Sequence, residues 1–293
     1  MKYLGTTPID EFDGKFVKRE DLACWTSLEY PSGSKVRQYL AMAGYVETNE
    51  GPGIRLSHLT NNMKVQPCLV GCSANSAMQI YVSAAAKQLN AKGIIYVPKR
   101  KVRSDATNYA IKLGSEVNEI KPGYLSVIRK AARQKAIDLK QYVEWDRKAA
   151  IQDTIDQCIN IPENIKRIIV PTGSGLTAAG ILIGVVRHKG PIKVVAIGTS
   201  PMADKAKILT LAAKMKVQLK IPPDLLEFIG PTTPYDTPVI ERLPDDTPLD
   251  PYYAAKTWKY MEKGDLLWPP GLRPVISMPE ICQEEFRDWE GPQ

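Results

Sequence analysis

Three short stretches of the chain carry residue types whose spacing suits covalent and anion-binding chemistry. The first is Gly33-Ser34-Lys35-Val36-Arg37, which runs into Gln38, Tyr39 and Leu40. A loop of small residues followed by helix-forming ones places Lys35 at the start of a helix. A lysine attacks a carbonyl carbon only as the neutral amine. Partial burial beside a helix N-terminus favours that form, because both factors disfavour the ammonium. Taken alone, Lys35 is one of 39 lysines and arginines, and composition would make it a surface residue.

The second stretch is Pro171-Thr172-Gly173-Ser174-Gly175-Leu176-Thr177-Ala178-Ala179-Gly180, directly after the apolar run Arg167-Ile168-Ile169-Val170. Small residues let the backbone approach a phosphate closely, several N–H groups converge on its oxygens, and the following helix adds positive charge at its N-terminus. An isolated Gly-Ser-Gly that only turns the chain and caps a helix is the simpler reading. Gly173, Gly175 and Ala178 also fit a dinucleotide fingerprint, which would require an acidic residue about 20 positions on to hold a ribose. The next strand ends in Gly198-Thr199-Ser200-Pro201, with no carboxylate, so a lone phosphate group is the expected ligand. The third stretch, Gly71-Cys72-Ser73-Ala74-Asn75-Ser76-Ala77, is another strand-to-helix turn. Ser73, Ala74 and Ser76 suit a substrate carboxylate, while Ser73 or Asn75 also suits an N-cap, and the two roles can coexist.

The elements that must position these stretches alternate. Strand character is found in Cys68 to Val70, Gly93 to Val97, Arg167 to Val170 and Lys193 to Ile197. Helical length and composition are found in Ser76 to Leu89, Asp105 to Leu113, Leu125 to Leu139 and Thr177 to His188. Such alternation predicts an α/β architecture with mostly parallel sheets. Pro222 to Pro251 is rich in proline and turn residues and is expected to be a long ordered excursion or an active-site border rather than a flexible linker.

With 293 residues, 44% of them hydrophobic, the chain is long enough for two lobes. No apolar run of about 18 residues is present, and the opening residues lack the layout of a signal peptide. A soluble, cytoplasmic protein without membrane contact is the expectation. Cys24, Cys68, Cys72, Cys158 and Cys282 show no metal-type spacing, and His58 and His188 lie far from them, so neither zinc nor disulfides are expected. The net charge of +7 permits a polyanionic partner. Its densest piece, Lys99-Arg100-Lys101 with Arg103, reads first as a solvated loop and second as a phosphate-contacting patch.

Taken in order, these pieces resemble the fold type II pyridoxal-5'-phosphate (PLP) enzymes. This tryptophan synthase β superfamily includes cysteine synthase and the aminocyclopropane-carboxylate deaminase/D-cysteine desulfhydrase group. Thr7-Pro8 and Lys18-Arg19-Glu20-Asp21-Leu22 are similar to the family's opening segments, and Gly33 to Arg37 stands where it has Gly-Asn-Lys-x-Arg. Ser73 to Ala77 takes the place of Ser-Gly-Asn-Thr-Gly and leads into Ala84-Ala85-Ala86-Lys87. Tyr96-Val97-Pro98, Leu113-Gly114-Ser115-Glu116-Val117 and Asp250-Pro251-Tyr252-Tyr253-Ala254-Ala255-Lys256 continue the likeness over almost the whole chain.

The resemblance implies a two-lobed tryptophan synthase β-like fold. Residues 1–38 and 148–293 would form a large PLP-binding domain and residues 39–147 a small substrate-side domain, with a homodimer as the assembly. It implies PLP joined to Lys35 as a Schiff base, its phosphate on Thr172, Gly173, Ser174, Gly175 and Leu176, and its phenolic oxygen on Asn75. Ser277, in the strand-like Val275-Ile276-Ser277, would face the pyridine nitrogen. Tyr253 and Tyr235 are candidates for acid–base work or substrate contact. The reaction implied is lyase-type chemistry at the Cα of an amino acid: elimination, replacement, deamination or decarboxylation. Ala254 replaces the glutamate of the deaminase, which argues against cyclopropane ring opening. Ala74 and Ala77 replace loop glycines, which leaves open a substrate tethered to a nucleotide or DNA. A non-catalytic relative is the third alternative.

Overall fold

In the computed structural model, the structure describes residues 6–23, 31–42, 45–48, 51–56, 67–139, 146–215 and 220–289. Cys24 and His58 lie outside these residues. The chain opens with a hairpin of β1 (Ile9–Phe12) and β2 (Lys15–Lys18). Its two-residue turn, Asp13-Gly14, has positive φ at both positions, the mirror-image geometry that suits the twist of paired strands. Next come α1 (Ser34–Met42), the antiparallel pair β3 (Tyr45–Thr48) and β4 (Gly51–Leu56), and then β5 (Cys68–Gly71), α2 (Met78–Gln88), β6 (Gly93–Pro98), α3 (Asp105–Lys112), β7 (Glu116–Ile120) and α4 (Leu125–Leu139). The second half runs α5 (Arg147–Asp156), β8 (Arg167–Thr172), α6 (Leu176–His188), β9 (Lys193–Gly198), α7 (Lys205–Lys214), β10 (Leu226–Ile229), β11 (Asp265–Leu267) and α8 (Glu280–Glu285).

The strands make two main sheets. One has six strands in the order β1-β2-β11-β8-β9-β10, parallel except for the β1–β2 hairpin, and the other is the parallel trio β5-β6-β7. Apolar runs bounded by turn residues are what strands buried between helices require. Ile168, Val170, Val194 and Ala196 meet α6 residues Ala178, Ile181, Leu182 and Val185 in one core, all buried. Helix α1 belongs to the other side: Val36, Tyr39 and Leu40 pack with Cys68, Tyr81, Val82 and Ala85. The α/β class with mostly parallel sheets is as expected, and the four expected strands and four helices form within about two residues of their predicted bounds.

Two local expectations need correction. Val275–Ser277 is a 3₁₀ turn rather than a strand. Pro274 fixes the entry angle, and the Ser277 hydroxyl donates to the Pro274 carbonyl at 2.7 Å, closing the turn. Neither Ser73 nor Asn75 caps α2; instead the Met78 N–H donates to Ser76 Oγ at 3.2 Å. The Pro222–Pro251 excursion is ordered, as expected, and it includes β10, which pairs in parallel with β9. Among the described residues, no helix is long and apolar enough to cross a membrane. Cys68, Cys72, Cys158 and Cys282 are free and buried.

Candidate active site

Lys35 occupies the first turn of α1, and the loop before it is held by close backbone contact. Gly33 and Gly271 both have positive φ and lie against each other: a Cβ built on Gly33 would sit 2.3 Å from the Cα of Gly271. Only glycine tolerates both demands. A backbone bridge between Ser32 and Leu272 and a 2.9 Å hydrogen bond from Ser34 Oγ to the Pro270 carbonyl complete the clamp. Ser34 is thereby committed to structure.

The other end of the same turn is fixed by charge. Arg37 donates to Glu20 at 2.9 Å and, through two nitrogens, to Asp153 on α5, while Gln38 donates to Asp153 at 2.7 Å. Glu20 is fully buried and Arg37 nearly so. Arg19 likewise pairs with Asp10, Asp21 and Asp245. The Lys-Arg-Glu-Asp run that marks the resemblance is therefore a buried polar hub beneath Lys35.

Three lysines of the region differ in what their amines touch. Lys18 Nζ donates to the carbonyls of Thr7 and Gln157 and to Asn160 Oδ1, at 2.8, 3.1 and 2.7 Å. Lys256 Nζ donates to the carbonyls of Pro234 and Tyr235. Lys35 Nζ makes no hydrogen bond or ion pair among the described residues and lies 5.7 Å from the ring centre of Tyr253. Burial pushes its ammonium below the ordinary range, Asp250 opposes the shift, and Arg273 adds to it.

Tyr253 gathers the site. Its ring stands edge-on to Tyr235, with centroids 6.4 Å apart, and a Cβ placed on Gly173 would meet its ring carbon at 3.5 Å. Lys35, Tyr253, Tyr235 and the glycine loop thus converge, although they lie far apart in the chain. Burial first, and Tyr235 second, push the Tyr253 hydroxyl well above its ordinary value, so it stays protonated at neutral pH and can donate. Gly173 to Gly175 link β8 to α6, and Gly175 takes the left-handed conformation at the helix start. Thr172 is buried, with its carbonyl accepting from the Thr199 N–H and hydroxyl. Ser174 is exposed and Leu176 partly so.

In the loop after β5, the Ala74 carbonyl is held by Gln79 and Ser104, each at 2.5 Å. Ser73, Asn75 and Ser76 are partly exposed, and the Asn75 side chain makes no hydrogen bond among the described residues.

Sequence reasoning missed two features of this region. Asp250 and Arg273 form an ion pair at 2.8 Å with both side chains only 2% exposed, and the guanidinium stacks on Tyr252, 4.6 Å from the ring centre. This pair biases Lys35 electrostatically. Asp250 stood in the resemblance as part of an Asp-Pro-Tyr-Tyr run, but nothing local pointed to Arg273 as its partner. Ser200 was also missed; its Oγ lies 3.7 Å from the Cβ position of Gly173.

No protein-family model and no curated protein matches the sequence. Among solved structures, an ACC deaminase homologue aligns with a TM-score of 0.68 at 17% identity, covering 91% of this chain and 89% of its own. Diaminopropionate ammonia lyase from Escherichia coli, in complex with an aminoacrylate-PLP azomethine reaction intermediate, aligns at 0.57 and 13% identity, over 92% of this chain and 82% of its own. Maize serine racemase aligns at 0.57 and 12% identity, over 96% and 92%. At these identities the likeness shows the fold, which is the tryptophan synthase β-like fold that the resemblance implies.

Proposed function

We propose that this chain is a PLP-dependent enzyme acting at the Cα of an amino acid, with Lys35 as the residue joined to the cofactor. The observation that carries the reading is the free, partly buried amine of Lys35 beside a phosphate-sized glycine loop, in a region where the amines of Lys18 and Lys256 are consumed by structural hydrogen bonds. A lowered ammonium pKa favours the neutral amine that attacks an aldehyde. The residues present fit the group. Gly173 leaves open the space beside Tyr253 that a Cβ would occupy, and the N-terminus of α6 favours a dianion there.

In this reading Thr172 to Leu176 would hold the phosphate and Asn75 the phenolic oxygen, and Ser277 would meet the pyridine nitrogen by turning its hydroxyl away from the Pro274 carbonyl. PLP, when bound, delocalises the electrons left at Cα. Lys35 takes and returns the proton at that carbon. Tyr253, protonated at neutral pH, donates to a departing or carboxylate oxygen, and Tyr235 fixes its ring. Ser73, Ala74 and Ser76 orient the substrate carboxylate. The reaction is of the lyase type, spanning elimination, replacement, deamination and decarboxylation.

The test is a visible absorption spectrum of the purified protein, followed by borohydride reduction and peptide mapping. The expected result is a chromophore fixed to the peptide containing Lys35. A label on Lys18 or Lys256 would overturn the assignment, and a protein that takes up no PLP would make it a non-catalytic relative.

A further inference from the structure

Tyr253 and Lys35 face each other from segments far apart in the chain, and a buried ion pair joins those segments. On the amine's side, the loop before Lys35 is clamped by the segment from Pro270 to Arg273: Ser32 exchanges backbone hydrogen bonds with Leu272 at 2.9 and 3.2 Å, and Gly33 lies against Gly271. Arg273 ends that segment. On the phenol's side, the Asp250 carbonyl accepts the N–H groups of Tyr253 and Ala255, each at 3.1 Å, and its carboxylate accepts the Tyr252 N–H at 3.0 Å. Asp250 thus builds the turn that presents Tyr253.

The guanidinium of Arg273 closes the gap, donating to the Asp250 carboxylate through two nitrogens at 2.8 and 3.4 Å. Among the described residues, the hydrogen bonds that join the two segments are those of this pair. Tyr252 covers one face of the guanidinium, with its ring centre 4.6 Å away. Beyond Tyr253 the chain runs on to Lys256, whose amine donates to the Pro234 and Tyr235 carbonyls at 2.6 and 3.2 Å, and Tyr235 stands edge-on to the Tyr253 ring at 6.4 Å. The contacts form a closed circuit of Lys35, Gly33, Gly271, Arg273, Asp250 and Tyr253, which returns to Lys35 where its Nζ lies 5.7 Å from the Tyr253 ring centre. Burying two charges gains little stability over apolar packing of the same size. A forked guanidinium–carboxylate contact, however, fixes distance and direction, which apolar contact does not.

We propose that Asp250 and Arg273 are positioning residues, which hold the Tyr253 ring over the Lys35 amine by locking the two segments at one separation. Neither needs to touch a substrate. The pair sets where the phenol stands relative to the amine, and a displacement of about 1 Å between such groups can cost about 10²-fold in rate. The use of that placement in catalysis rests on the Lys35 reading, whereas the placement itself does not, so the two can fail separately.

The experiment compares four full-length proteins: the native chain, Asp250→Asn/Arg273→Met, Tyr253→Leu, and the combination of all three changes. In the pair variant both charges leave together, so neither is stranded in the interior, and the new amide keeps an acceptor for the Tyr252 N–H. Its melting temperature should stay near the native value or rise. Placement is read first without cofactor, as the rate at which acetic anhydride labels Lys35 in the PLP-free protein, with the exposed Lys99 as internal reference. Freeing the ring uncovers the amine, so labelling should rise severalfold in the pair variant and in Tyr253→Leu. The combined variant should match Tyr253→Leu, because changes that act through one residue do not add. In the PLP-loaded proteins, borohydride should still fix the cofactor to the Lys35 peptide of the pair variant. Its visible circular dichroism, which reports the rings and charges around the chromophore, should change toward that of Tyr253→Leu. If the pair variant melts far below the native protein, Arg273→Lys replaces it: this variant keeps the charge, loses the fork, and must raise Lys35 labelling in the same direction. Unchanged labelling in a folded variant of the pair, or effects that add in the combined variant, would overturn the proposal. A native protein that takes up no PLP would count against the Lys35 reading alone, since the labelling still decides the placement.

Discussion

Lys18 and Lys35 are two lysines withdrawn from water on neighbouring segments, and both have ammonium groups pushed below the ordinary range by burial, Lys18 to about 8. Only their partners separate them. The first is enclosed by three acceptor oxygens within a hub of paired charges; the second faces a tyrosine ring and makes no hydrogen bond among the described residues. A depressed pKa thus marks burial, and the absence of partners marks availability. The hub explains how the free amine is tolerated. Arg37, two residues beyond Lys35, is bound to Glu20 and Asp153, so the hub fixes the helix that carries the amine while consuming none of its hydrogen-bonding capacity.

This contrast can be broken most directly at Lys35 itself. Lys35→Ala should abolish the covalent chromophore and lower turnover at least about 10²-fold, the floor for losing one positioned acid–base group, with a melting temperature at or above that of the parent. A large drop in melting temperature would make Lys35 structural. Arg37→Met attacks the hub. Leaving Glu20 and Asp153 without their cation should cost about 3–5 kcal/mol in urea unfolding, as measured for broken buried pairs. A change below about 1 kcal/mol would show that water replaces the guanidinium. Lys18→Met should have a smaller effect, about 1–3 kcal/mol for acceptors left unsatisfied, and should retain the chromophore. Loss of the chromophore in that variant would dissolve the distinction between the two lysines.

The parts legible in the sequence were those with local signals. Alternating apolar runs announced β5, β6, β8 and β9, and the small residues around Gly173 announced a strand-to-helix turn. Strand β11, three residues long, carries no periodicity; it exists because β2 and β8 pair with it on either side. Ser277 looked strand-like because Val275 and Ile276 are β-branched, but Pro274 and the serine hydroxyl decided the geometry. In the site, Lys35 and the glycine loop were visible from composition and order. The Asp250–Arg273 pair and the commitment of Lys18 were not, since each depends on residues brought together only by folding.

The finest test of the contrast is the pH dependence of stability. Lys18 titrates near 8 in the folded protein, against 10.5 for an ordinary lysine. Below about pH 8 both folded and unfolded chains hold this proton, and the folded state bears the whole cost of a buried ammonium. Between about 8 and 10.5 the unfolded chain holds more protons, so stability must rise with pH, and above that it levels off. The full rise is on the order of 3 kcal/mol, because each pH unit separating the folded and unfolded values contributes about 1.36 kcal/mol. The buried thiols act the other way. Burial raises Cys68, Cys72 and Cys158, so the unfolded chain loses those protons first as pH climbs past the ordinary thiol value of 9.0. The comparison is therefore read from about pH 8 to 9 by urea unfolding of the native protein and of Lys18→Met. Lys35 and Lys256 contribute the same sign to both proteins and cancel in the difference. The native protein should gain stability relative to the variant over this interval. If the difference stays flat over this interval instead, the three acceptor oxygens offset desolvation and hold the Lys18 ammonium at or above its ordinary pKa. The two lysines would then differ in charge preference as well as in partners.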